Sequence, residues 1–412
     1  MYYLQTKNQA LYRTLLIRTF RMVIRLSQLS CTAPFPLDPY QPSTPHPRTK
    51  QVRIMVTFRR LLSAVLFGIV LGVPFMLYYH YKGQIHAYKI PLSIKLMYYM
   101  QALLQTAALG YVLLVYQFRA SFHRFYFERL VHVLVEFGRP DIGISLRALQ
   151  TNIRRLLLLI LLQVIVVIAA TLVRDRSWTN LLKMLIFATT QIMATSLTLQ
   201  YLTVFGIVGV LLRQMNDTLE SFLAASVHDE AENASQLSSV RITPDEERTI
   251  EKIRLLQHKL LQIVLRANGG EYGQLLIAIL LTTFIFLNTE LLQLYQGIQA
   301  GAFTFDVIGT KLINSALKFA MLLMFAFPNR MVQKQNLRAL KVVYQLHSSV
   351  NGFRCHEITS RFITQTTLFL DKAHEAYGMI SIDMTLILSI IGGLTNILVV
   401  LVQFSNAKTS CN

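Results

Sequence analysis

Apolar runs of about 20 residues recur along the chain, separated by polar stretches rich in arginine and lysine. A helix needs about 20 residues to cross a hydrocarbon core roughly 30 Å thick. On that length the runs predict seven spans, at 61–79, 96–117, 156–173, 184–212, 273–296, 307–327 and 382–404. The expected fold is an all-α membrane protein with seven transmembrane helices.

Two of the polar stretches carry a helical period of their own. Within 213–272 the residues Ile250, Ile253, Leu256, Leu260 and Ile263 share one face. Thr243 and Glu246 stand at capping-box spacing, with Pro244 at the first helical position. Such a helix runs into the fifth span as one rod projecting beyond the membrane. The acidic middle of the same stretch, HDEAENASQ, reads as solvated or disordered. The segment from Gln335 to Gly378 lacks proline and is helical in pattern. The stripes on these rods need partners, either within one chain or in a bundle between subunits.

Ahead of the first span, LYRTLLIRTFRMVIRLSQL is interrupted by Arg13, Arg18, Arg21 and Arg25, which forbids an uninterrupted apolar h-region, and no cleavable signal is expected. It reads either as a basic amphipathic helix lying on the inner leaflet or as a poorly ordered tail. Six prolines between Pro34 and Pro47 then make a linker.

Composition agrees with the pattern. Of 412 residues, 53% are hydrophobic and 15% charged, against about 25% charged in a soluble domain. Charge also orients the chain, because the side rich in lysine and arginine stays inside. The N-terminal segment and the second, fourth and sixth loops hold 31 of these residues, and the opposite side holds seven. The N-terminus is therefore expected inside and the C-terminus outside. The net charge of +19 is then mainly a topological signal and an attraction to the anionic inner leaflet. No nucleic-acid module is visible.

The chain divides into 1–60, an inner N-terminal segment with its Pro-rich linker; 61–327, six spans with the acidic inner loop 213–272; 328–380, an inner helical segment; 381–404, the last span; and 405–412, an outer tail. Cys31 and Cys355 fall inside and Cys411 outside, so no structural disulfide is expected. Cys355 beside His356 lacks metal-ligand spacing, and no metal or cofactor is expected. The sequons at Asn216 and Asn233 lie on the inner side and should go unused. No P-loop, GxSxG, HExxH or carboxylate cluster within a span points to an enzyme.

The last span poses a question, because it closes on the amides Asn396 and Gln403, and an unsatisfied polar group in lipid costs several kcal/mol. Its sequence, GMISIDMTLILSIIGGLTNILVVLVQF, resembles the last-helix motif of the insect gustatory receptors. The chain keeps Ile382-Asp383, Ser389-Ile390, Gly392 and Gln403-Phe404, and departs at Asn396-Ile397, where the family carries a Thr-Tyr pair. The resemblance in residues covers roughly 330–404 and elsewhere is one of architecture.

That resemblance implies a chemosensory, tastant-gated, nonselective cation channel in the plasma membrane of gustatory neurons. It implies a homo- or hetero-tetramer with related subunits, four last helices around the pore, and an inner helical anchor between subunits. The departure at the Thr-Tyr pair points to a divergent member, and divergent members often answer bitter or aversive compounds. A solute transporter and a G-protein-coupled receptor are the competing readings; the first wants broken helices, which are not found, and the second the opposite orientation.

Asn396, Val400, Gln403 and Phe404 fall at offsets 0, 4, 7 and 8 and share one helical face. If four such faces meet on an axis, the amides meet water or their copies, and Val400 with Phe404 forms an apolar constriction that dewets when closed. Asp383 stands where it caps the helix, and Gly392 and Gly393 permit close packing or a bend.

Polar residues in other spans mark a candidate ligand cavity open to the outside. They are Tyr98, Tyr99 and Gln105 in the second span, Gln191, Thr195 and Thr198 in the fourth, Phe286, Glu290 and Gln293 in the fifth, and Lys311, Asn314, Ser315 and Lys318 in the sixth. Ionisable groups within spans face protein or water-filled space. At about 1.5 Å rise per residue, Glu290 falls between the depths of the two lysines and is within reach of either. One lysine is expected to pair with it, leaving the other for solvent or ligand.

Overall fold

The structure is a computed structural model that describes residues 2–33, 48–81, 92–115, 120–137, 139, 141–174, 176–232, 242–299, 305–349, 353–372 and 375–409. Some side chains within these segments, including those of Tyr98 and Phe404, lie outside the description. The described chain is helical almost throughout. Its helices are α1 (Tyr2–Leu29), α2 (Arg48–Tyr81), α3 (Leu92–Val115), α4 (Ala120–Phe137), α5 (Ile142–Arg174), α6 (Trp178–Glu232), α7 (Pro244–Arg266), α8 (Gly273–Gln299), α9 (Phe305–Ser349), α10 (Phe353–Lys372) and α11 (Met384–Thr409). A π-helical turn (Ala267–Glu271) joins α7 to α8, and a short hairpin of β1 (Glu375–Ala376) and β2 (Ile380–Ser381) precedes α11.

Each of the seven expected spans falls on a helix among the described residues, the second described as far as Val115 and the last helical from Met384. Among the described residues, four helical stretches are long and apolar enough to cross a membrane by themselves: Ile142–Val173, Phe187–Ala224, Gly273–Tyr295 and Val307–Ser349. Helix α6 is the axis of the bundle, packed against α9, α5, α1 and α7, with Tyr201, Phe205, Val208 and Leu211 fully buried. Helix α5 behaves differently. Leu158, Leu159, Leu162 and Ile165 are all more than half exposed on one face, an apolar surface that belongs against lipid.

The membrane level can be read from how α5 meets α6. Leu149 lies against Gly206, and Leu156, where the apolar run of α5 begins, shares a cluster with Leu202. On the orientation expected from the sequence, this level is the inner boundary; it meets α6 near residue 202, and the helix continues past it to Glu232. One expectation is corrected here. Residues 213–232 form no loop, because Met215 and Leu219 stay buried and the helix of the fourth span continues through them. The acidic middle begins as helix, His228–Glu232 closing α6, and residues 233–236 lie outside the described residues. Asn216 is 2% exposed and donates to the Gln335 carbonyl at 2.8 Å, so its nitrogen is unavailable to a glycan.

The N-terminal segment is a helix whose apolar face is covered by protein. Leu16, Phe20, Val23 and Ile24 of α1 are buried against α4, α5 and α6, while Arg18, Arg21 and Arg25 face outward. Its end is tied in by polar contacts, Thr32 Oγ1 to Ser196 Oγ at 2.9 Å and Gln200 Nε2 to Ser27 Oγ at 2.7 Å. An apolar face can be covered by protein as well as by lipid, and here protein covers it.

The rod below the fifth span forms as expected. Thr243 and Glu246 close the capping box, the Thr243 N–H donating to Glu246 at 2.8 Å, with Pro244 in the first turn. Ile250, Ile253, Leu256, Leu260 and Ile263 are 0–1% exposed, packed against α4, α6 and α10. The stripe therefore finds its partners within one chain. The inner part of the sixth span prolongs α9 through Pro328 to Ser349, and α10 folds back beside it.

Candidate functional site

Helix α11 has two unlike faces. Ile387, Ile390 and Leu394 pack on Leu280 and Leu287 of α8 and on Leu322 and Ala326 of α9. Gly393 lets α11 approach α8 closely, a Cβ there falling 3.4 Å from the Phe284 ring. Asp383 accepts the Leu386 N–H at 2.9 Å and caps the helix start. The other face, with Asn396, Val400 (46% exposed) and Gln403, turns away from its own bundle. The four residues read as one face from the sequence are thus those free to meet another chain, except that the Phe404 side chain lies outside the described residues.

Between the spans, polar groups gather at two depths. In the outer layer Lys311 Nζ donates to Glu290 Oε2 at 2.8 Å and to Gln293 Oε1 at 2.5 Å. Lysine chemistry matches this: one ammonium with three donors satisfies a carboxylate and an amide together. A layer deeper, a small cavity of about 50 Å³ lies between α3, α6, α8 and α9, lined by Gln105, Thr190, Thr282, Thr283, Phe286 and Lys318 among apolar residues. The Lys318 ammonium sits 5.6 Å from the centre of the Phe286 ring.

The remaining expected cavity residues are dispersed. Gln191 and Thr195 are buried on α6, Gln191 donating to the Met321 sulfur at 3.3 Å, and Gln191 Oε1, Thr195 Oγ1 and Asn314 Oδ1 have no hydrogen-bond partner among the described residues. Thr198 bonds back to the Ala194 carbonyl. Tyr99 is 47% exposed, and the Tyr98 side chain lies outside the description.

A polar knot at the inner boundary was not foreseen. Tyr201 of α6 donates to Asn268 Oδ1 at 2.8 Å, Asn268 Nδ2 donates to Asn329 Oδ1 of α9 at 2.9 Å, and Asn329 closes the ring onto the Tyr201 hydroxyl. Asn268 sits in the π-turn, and its carbonyl accepts the Tyr377 N–H of the β-hairpin at 3.0 Å. Tyr377 and Gly378 hold positive φ, 54° and 66°, at the hairpin tip. The approach requires glycine at 273, where a Cβ would fall 2.1 Å from the Asn268 oxygen and 2.9 Å from the Tyr377 nitrogen. One knot therefore joins α6, the α7–α8 joint, α9 and the hairpin leading into α11. Its members are far apart in sequence and each is ordinary alone, so no local pattern announces it.

Below this level, Arg338 of α9 bridges Asp217 and Glu220 of α6 at 2.7 and 2.5 Å. Its hydrogen bonds hold the Glu220 carboxyl below the usual range. Burial pushes the Cys355 thiol up to about 11, so it is inert at neutral pH. A cavity of about 990 Å³ also lies in this region, between α5, α6 and α9. Phe327 on its rim is 62% exposed, which makes it a cleft in the flank of the bundle rather than an enclosed chamber.

The sequence model of the 7tm chemosensory receptor family matches residues 20–408. No curated protein matches the chain. Among solved structures, the insect olfactory receptor OR5 from Machilis hrabei is similar in fold, with a TM-score of 0.63 at 10% identity over 95% of this chain and 99% of that one. The same receptor in complex with eugenol gives a TM-score of 0.61 at 9% identity, with the same coverage.

Proposed function

This chain belongs to the 7tm chemosensory receptor family, and from that premise we propose that it is a tastant-gated, nonselective cation channel, a gustatory receptor for bitter or aversive compounds. Four copies, alone or with related subunits, place their α11 helices around one pore in the plasma membrane. The observation that carries this reading is the division of α11 into a face packed on α8 and α9 and a polar-edged face, with Asn396, Val400 and Gln403, that its own chain leaves uncovered. In lipid those amides would stand unsatisfied; around a shared axis they meet water. Leu337, Tyr344 and Leu368, each at least half exposed on α9 and α10, offer further apolar surface to a neighbouring subunit below the membrane.

The knot at Tyr201, Asn268 and Asn329 supplies the route from cavity to pore in this reading. Ligand bound between α3, α6, α8 and α9 biases helices that meet at the knot, and the hairpin held by Asn268 leads directly into α11.

The test is electrical. Replacing Gln403 with glutamate sets four carboxylates on one axis and is expected to strengthen divalent block, while Val400→Ser wets the constriction and raises basal current. Unchanged conduction in both variants, at normal surface density, removes α11 from the pore. The orientation is checked separately: a tag after Asn412 is expected to label on intact cells, and one before Met1 only after permeabilisation.

A further inference from the structure

Two lysines on α9, seven residues apart, are treated differently. Lys311 has a carboxylate and an amide oxygen. Lys318 points into the small cavity two turns deeper, and among the described residues it makes no ion pair or hydrogen bond; the Phe286 ring is its one recorded partner. A cation at this depth is costly, and an aromatic face offsets only part of the cost. The rest must come from what enters the cavity.

We propose that the cavity takes a small organic acid, a carboxylate on a chain of two or three carbons, and that Lys318 is its recognition group. The inference rests on the reading of this cavity as the ligand site and names the ligand's class. Charge selects the head: Lys318 supplies ammonium donors, and the Gln105 amide stands in the same wall to donate to the second oxygen. Thr190 and Thr282 spend their hydroxyl protons on their own helix, on the carbonyls of Phe187 at 3.0 Å and Ala278 at 2.8 Å, and do not compete as donors. Shape selects the tail: Leu109, Ile279 and Phe286 line the remaining wall. A volume of about 50 Å³ holds a few water molecules, or in their place a short alkyl chain. The same lysine repels protonated amines, which separates acids from basic tastants.

The test uses the full chain in two readouts. Purified protein in nanodiscs is melted with sodium propionate, propionamide or sodium chloride at one pH and ionic strength. Propionate is expected to raise the midpoint, and the isosteric amide and chloride to leave it in place. Lys318→Met is expected to lose at least about tenfold in propionate affinity, and Lys318→Arg to keep the preference for acid over amide. Equal shifts with acid and amide overturn the proposal, as does an undiminished propionate shift in Lys318→Met. A chloride shift equal to that of propionate makes the site one for inorganic anions and overturns the class. If Lys318→Met fails to fold, wild type and Lys318→Arg decide through the acid–amide comparison. Currents from cells expressing the chain separate the two readings. An acid-specific shift without current keeps the acid site and removes the channel; currents opened by other tastants, with no acid-specific shift, keep the channel and overturn the acid site.

Discussion

The halves of the bundle on either side of residue 202 of α6 treat their buried charges differently. On the inner side charged groups have partners and the knot closes on itself: Arg338 meets Asp217 and Glu220, and Tyr201 meets Asn268 and Asn329, whereas Gln257 meets Asn336 at 3.2 Å with Gln257 Oε1 and Asn336 Nδ2 left without partners among the described residues. On the outer side one ion pair, Glu290 with Lys311, stands above a cavity whose lysine has no carboxylate beside it among the described residues. Buried charges that satisfy each other specify a structure, and those that do not are available to bind. Substitutions on the inner side are therefore expected to change stability, and those on the outer side response.

The largest effect is expected at the knot. Gly273→Ala drives a methyl group into the Asn268 carbonyl and the Tyr377 nitrogen, backbone atoms that cannot step aside. A loss of about 1–3 kcal/mol is expected, seen as a lower melting midpoint, with the response of the folded fraction altered as well because the knot leads into α11. A lost response at an unchanged midpoint would dissolve the division between the halves. The ion pair comes next. Glu290→Gln and Lys311→Met are each expected to be harmful and, combined, to be less harmful than their sum, with a coupling of about 0.5–3 kcal/mol in a double-mutant cycle. Coupling confined to the melting midpoint would make the pair a strut; coupling in ligand response would join it to the cavity below.

Smaller effects are expected at the end of the inner rod. Thr243→Ala removes one side of the capping box and should cost about 1 kcal/mol, read as faster amide exchange in the first turn of α7 alone. Smallest is an acid effect on the α9–α10 pair, where the His347 ring bonds Thr359 Oγ1 at 2.8 Å and stacks on His356. Burial first and the neighbouring imidazole second hold its pKa below the ordinary value of about 6.5. The unfolded chain then takes up protons at higher pH than the folded one, so this contribution is whole above about pH 6.5 and is lost as the pH falls through the folded value. Protection of the α10 amides, taken relative to the intrinsic exchange rate at each pH, should fall between pH 7.5 and 5.5, and His347→Asn should abolish that fall.

What the sequence disclosed follows from how local each signal is. The capping box at Thr243, the stripe from Ile250 to Ile263, the Asp383 cap and the exposed face of α11 are all written within a few turns of one helix. The depth of Glu290 could be counted along its helix, but not which lysine it meets, because both were within reach; the structure gives Lys311. The position of α1 was hidden for a different reason, since an amphipathic face does not say whether lipid or protein covers it. Helix α4 was overlooked although Phe122, Tyr126, Leu130 and Leu134, all buried, recur at four-residue spacing among the arginines that drew attention to the loop. The knot joins α6, the π-turn and α9, and only folding reveals it.

Helix α6 runs unbroken from Trp178 to Glu232, with Tyr201 and its asparagine partners at an intermediate point. Mechanically it is a lever on a fulcrum. The arm above Tyr201 is about 35 Å long and the arm below about 46 Å, at 1.5 Å per residue. A tilt of about 5° around that point carries the lower tip about 4 Å, most of a helical turn. Arg338 ties α6 to α9 at Asp217 and Glu220, where the same tilt would carry α9 about 2 Å, against about 1.4 Å at Thr190 in the cavity wall.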